Sequence, residues 1–129
     1  MSSSSDEGHI DLVLFRAGEY PVAFEARHVR ASQGNAAAGA PLAETVLDLP
    51  AATTTVGMRQ RLTLKLPEGE RDLLVAGPVE LASMPIVSIQ PLPPLLAARN
   101  YLPGLRALVL LSSRQTLLLF DVGALRFPG

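Results

Sequence analysis

The chain has 129 residues, of which 48% are hydrophobic but only 5% aromatic, and 11 Lys and Arg against 12 Asp and Glu leave a net charge of -1. One domain of common size is expected, since single cores are built from about 100–150 residues, and that core must be aliphatic. The balanced charge removes the electrostatic term on which nonspecific nucleic-acid binding depends, and the absence of cysteine excludes disulfides, thiolate nucleophiles and Cys-ligated metals.

The first nine residues, Met1 to His9, have neither a basic nor an apolar stretch and are expected to form a mobile tail rather than a secretory leader, leaving one domain over residues 10–129. Ile10 to Arg16 and Tyr20 to Phe24 are rich in β-formers and flank Ala17-Gly18-Glu19, which is a hairpin signal. Pro21 cannot donate to a ladder, so it belongs at a bulge or on an open side. Glu25 to Val29 reads as a turn or a single helical turn, and Ser32 to Pro41 as a loop.

Glu44 to Leu49 is expected to be a short strand stopped by Pro50. Met58 to Leu66 alternates most clearly, with Leu62, Leu64 and Leu66 on one face and Arg61, Thr63 and Lys65 on the other, so a half-buried strand follows. Pro67 to Glu70 has turn chemistry, and Arg71 to Ala76 should return antiparallel. Gly77-Pro78 is expected to interrupt before a second alternating run, Val79 to Met84. Ile86 to Ile89 should be extended, and the prolines at 85, 91, 93 and 94 leave only Leu95 to Asn100 for a short helix. Leu105 to Leu111 and Thr116 to Val122 form a closing hairpin, apolar on both faces and so expected to be buried on both. Many short strands with no long helical stripe predict an all-β barrel or sandwich. No apolar run reaches the roughly 20 residues needed to span a bilayer, so a cytoplasmic protein without direct membrane insertion is expected.

Chemistry is sparse. His9 falls in the tail and His28 in a turn, where a solvated histidine is the plain reading. Glu68, Glu70 and Asp72 crowd one turn but lack the other ligands of a calcium loop, and no glycine arrangement suits a phosphate. Asp48 and Asp121 read as strand-end residues accepting backbone hydrogen bonds. An enzyme is not expected, and no cofactor or metal is called for.

Three stretches together resemble the CheW family of chemotaxis adaptors. Leu14-Phe-Arg-Ala-Gly-Glu-Tyr-Pro-Val-Ala-Phe-Glu-Ala-Arg-His-Val29 is similar to the family's opening hairpin and short helix. Leu73 to Leu81 with Ile89-Gln-Pro-Leu-Pro93 resembles its Val-Asp-x-Val segment and downstream Ile-x-x-Leu-Pro. Tyr101 to Val109 with Leu117 to Leu125 resembles the closing hairpin and terminal Leu-Asp-x-x-x-Leu. The resemblance implies a fold of two small SH3-like β-barrel subdomains with short helices between strands. The family's Asn-Leu-Arg-Gly strand is missing, only Pro41 to Leu49 remaining in that region, and Ala76-Gly77 replaces the family's Val-Asp pair. The first barrel is therefore expected to be reduced, with exposed edges that admit a homodimer.

The same resemblance implies a non-catalytic scaffold that joins a methyl-accepting receptor tip to a CheA-type histidine kinase in chemotaxis or motility signalling, by burying apolar surface. The receptor-facing groove of the family lies between the barrels, which points to Val79, Leu81, Ile86 and Val87 as protein-interaction residues. Two alternatives stay open: a receptor-only or accessory CheW-like protein of the kind found in Frizzy-type gliding-motility systems, and a generic β-barrel assembly or ligand-binding subunit.

Overall fold

A computed structural model describes residues 8–18, 20–33, 40–49, 59–91, 104–110, 115–125 and 127. Its strands are β1 (His9–Ala17), β2 (Tyr20–Glu25), β3 (Val29–Gln33), β4 (Arg59–Leu66), β5 (Gly69–Pro85), β6 (Ile89–Pro91), β7 (Leu105–Leu110) and β8 (Thr116–Phe120). One helical turn, α1 (Ala43–Val46), and three 3-10 turns at Ala26–His28, Ile86–Ser88 and Val122–Ala124 join them. The strands form one sheet in the order β3-β4-β5-β1-β2-β8-β7-β6, antiparallel throughout except where β2 lies parallel to β8. The expected tail residues 1–7, the loop at 34–39 and the helix at 95–100 lie outside the described residues. His9, assigned to the tail from sequence, instead opens β1 opposite Pro85.

Strand alternation sends successive side chains to opposite faces, and here each face has its own core. From β1, Val13, Phe15 and Ala17 enter the first core while Leu12 enters the second. From β2, Val22 and Phe24 go to the first and Ala23 to the second. From β8, Phe120 goes to the first, Leu117 and Leu119 to the second. Leu62, Leu64 and Leu66 of β4 and Leu73 and Val75 of β5 complete the first core as the alternation predicts. Its aromatic contact sets the Phe15 and Phe24 rings edge to face at 4.9 Å and 61°. Burial on both faces holds for β8, whereas β7 turns Ala107 and Val109 inward and leaves Leu110 exposed.

Three expectations are corrected. Gly77-Pro78 does not interrupt: β5 runs unbroken from Gly69 to Pro85, and the β1 register slips between Arg16↔Ala76 and Leu14↔Glu80, so a bulge absorbs these residues. A bulge is one of the few sheet positions where proline's missing N–H costs nothing. Ile86–Ser88 is a 3-10 turn, because β5 pairs with β1 while β6 must leave to pair with β7.

Glu44 to Leu49 is not a strand. Ala43, Val46 and Leu47, at helical spacing, all bury in the first core, a stripe that a six-residue apolar run does not separate from a strand. Asp48 follows in the left-handed region at φ 61, with Leu49 N–H donating to the Glu44 carbonyl at 2.8 Å and Asp48 N–H to that of Thr45 at 3.3 Å. These are the two bonds of a Schellman helix end, so Asp48 closes a helix rather than a strand. Asp121 fits its expectation, its side chain accepting from Gly123 N–H at 3.0 Å.

The helix carries a buried charge. Glu44 is 4% exposed, and its carboxylate accepts two bonds from the Arg59 guanidinium, at 2.7 and 3.2 Å. Burial pushes the Glu44 carboxyl up, but the Arg59 bonds and charge, with backbone N–H donors of Glu44 and Gly18, outweigh it and hold the group below its usual range. One side chain thus ties α1, the start of β4 and the end of β1 together. Replacing Glu44 by Gln leaves the Arg59 charge partly buried without a counter-ion and should cost roughly 3 kcal/mol in urea unfolding. Because the folded carboxyl titrates below its unfolded value, its stabilisation is complete above the unfolded value and is lost as pH falls through the folded one. Wild-type stability should therefore drop below about pH 4.5, and the Glu44→Gln protein should lack that part of the acid slope.

Candidate protein-interaction surface

The second half of β5 and the 3-10 turn that follows it are where large apolar side chains fail to bury. Leu81 is 73% exposed, Ile86 48% and Val87 82%. Leu81 stands opposite Val13 of β1, on the face of the first core, but β4 pairs with β5 only as far as Ala76 and does not reach it. Val79 differs from the other three residues singled out from sequence: it is half-buried and packs against the first core, supporting the surface from beneath. Ser83 and Pro85, both exposed, continue the same face toward the 3-10 turn.

That turn is fixed from two directions. Ile86 N–H donates to the Gly8 carbonyl at 2.6 Å, and Gln90 Nε2 donates to the Val87 carbonyl at 3.2 Å. The most exposed apolar side chain of the described residues is therefore held on a bonded backbone, which lowers the entropy cost of docking it. The sequence reading missed Gly8 and Gln90 as its supports, since neither has a local pattern that reveals a contact across the sheet. The remaining exposed apolar residues, Tyr20, Leu42 and Leu110, lie on β2, beside α1 and on β7.

Elsewhere the charged groups are spent on one another. Glu70 receives Arg30 through two bonds of 2.7 and 2.9 Å, and Asp72 accepts Thr63 Oγ1 at 2.9 Å with Arg61 at 3.8 Å. Of the acidic turn, Glu70 and Asp72 are thus held in ion pairs while Glu68 stays exposed, and no group of three metal-ligating side chains occurs among the described residues. His28 is half-buried in its 3-10 turn. Among the described residues no helix is long and apolar enough to cross a membrane.

No protein-family profile matches the sequence, and a search of curated proteins finds no relative. Solved structures do match, 11 chains in all. Among them is the scaffolding protein TtCheW from Thermoanaerobacter tengcongensis, similar at a TM-score of 0.63 and 11% identity over 88% of this chain and 90% of that one. The fold is therefore all-β and CheW-like, with short helices between strands.

If Leu81 is surface and Leu12 is core, truncation separates them. Leu12→Ala should cost about 2–5 kcal/mol, and Leu81→Ser no more than about 0.5 kcal/mol, both read from chemical denaturation midpoints.

Proposed function

We propose that this chain is a non-catalytic chemosensory adaptor whose surface at Leu81, Ile86 and Val87, underpinned by Val79, binds the cytoplasmic tip of a methyl-accepting receptor. The observation that carries the reading is the coincidence of two independent facts. The fold is CheW-like, and the most exposed large apolar side chains of the described residues stand where a scaffold of this fold is expected to dock. Burying a Leu, Ile or Val side chain contributes about 1.5–3 kcal/mol each before the cost of association is subtracted, enough for three such residues to dominate a small interface. No step requires a reacting group, a cofactor or a metal; the work is positioning, carried out in the cytoplasm within a chemotaxis or motility pathway.

A second reading concerns the kinase. The helix α1 stands where the family resemblance leads one to expect strands, so the surface that a complete first barrel offers is altered. This favours an accessory that engages a receptor without coupling a CheA-type histidine kinase. The two readings separate in one experiment, in which a receptor-tip hairpin and the regulatory domain of a CheA-type kinase are each titrated against the full chain. Binding to both supports the coupling adaptor, binding to the hairpin alone supports the accessory, and binding to neither sinks both in favour of a generic β-barrel subunit.

Val87→Glu puts a charge on a side chain that makes few contacts within the fold. It should leave the melting temperature within about 2 °C of wild type and weaken hairpin binding at least about tenfold, measured by calorimetry.

A further inference from the structure

Charge is distributed unevenly around the exposed surface. The chain carries 11 Lys and Arg residues, yet none falls within His9–Leu14 of β1 or within Pro78–Pro91, which together build the patch. Those stretches hold two carboxylates, Asp11 and Glu80, both on exposed residues. Asp11 stands opposite Ser83, two pairs along from Val13↔Leu81, so with its two-residue offset from Val13 it shares the face that presents Leu81. Glu80 stands opposite Leu14 on the other face, beside Leu81 in sequence, and still lies within a Debye length of it. Neither carboxylate takes part in an ion pair among the described residues, while Glu25, Glu44, Glu70 and Asp72 all do. Among the described residues of β1 and the second half of β5, the remaining ionisable group on this face is His9, opposite Pro85.

We infer that Asp11, with Glu80 behind it, selects the partner: the helical hairpin that docks on Leu81, Ile86 and Val87 carries Lys or Arg beside its apolar face. The inference rests on the adaptor reading and adds to it the chemistry of the partner. An apolar centre bordered by carboxylates attracts a cationic border and repels an anionic one, and such border charges act on the rate of encounter and on specificity more than on final affinity. Asp11 is a specificity residue, and the apolar side chains supply the hold.

The test uses the full chain and two probes: a receptor-tip helical hairpin, and the same hairpin with its exposed Lys and Arg changed to Gln. Asp11→Lys should weaken binding of the native hairpin about three- to tenfold at roughly 50 mM salt, an effect that shrinks toward nothing near 500 mM, and should leave the Gln hairpin unaffected. Glu68→Lys, which makes the same change in net charge on an exposed residue of the distant β4–β5 turn, should leave both affinities as they are. Equal weakening by Asp11→Lys and Glu68→Lys, or wild-type affinity for the native hairpin retained in Asp11→Lys, overturns the inference and leaves the adaptor function standing. Failure of wild type to bind either hairpin overturns both.

Discussion

The strands β1, β2 and β8 form a wall with a hydrophobic core on each side, and the rest of the molecule depends on that division. A strand's side chains alternate with a period of two, so a strand that is apolar at every position can be satisfied only by burial on both faces. Phe15 and Phe24 on one side, with Leu12 and Ala23 on the other, meet that requirement. A register slip of one residue would exchange the two sets, placing the Phe rings in the smaller second core and short side chains in the first.

The wall also explains why β5 is long and only partly covered. Its first half closes the first core against β4; its second half runs beside β1, past the point where β4 begins. The bulge at Gly77 to Val79 lets one strand serve both halves without changing sheet. Beyond it the alternation continues, turning Ala82 and Met84 toward the second core's side, while the opposite side has no β4 to pack on. Leu81 is left in solvent for that reason, so the exposed surface follows from strand lengths.

The first core is finished by a helix. Ala43, Val46, Leu47 and Leu49 fill the space, and the Glu44–Arg59 pair fixes where α1 sits relative to β4 and to the turn after β1. A buried pair of this kind is weak as a source of stability compared with apolar packing, but it is strongly directional, since one wrong placement leaves two charges without partners. Fixing α1 in this way holds Ala43, Val46 and Leu47 in the first core.

The sequence by itself determined the elements whose signal is local. The alternation in Leu62, Leu64 and Leu66, the turn at Pro67 to Glu70, the glycine after β1 and the Asp121 turn are set by neighbours within a few residues, and each stands where the pattern puts it. The family resemblance carried the two-subdomain fold and the choice of Leu81, Ile86 and Val87, and the apolar character of those residues alone does not distinguish surface from core. Only the tertiary structure decided the rest. Whether Glu44 to Leu49 coils depends on a core to receive Ala43, Val46 and Leu47 and on an arginine 15 positions away. Whether Gly77-Pro78 breaks or bulges depends on β1 lying alongside. Whether Leu81 meets solvent or a neighbour depends on where β4 starts. Each is a question of what lies across the sheet, and burial is a property of that neighbour as much as of the residue.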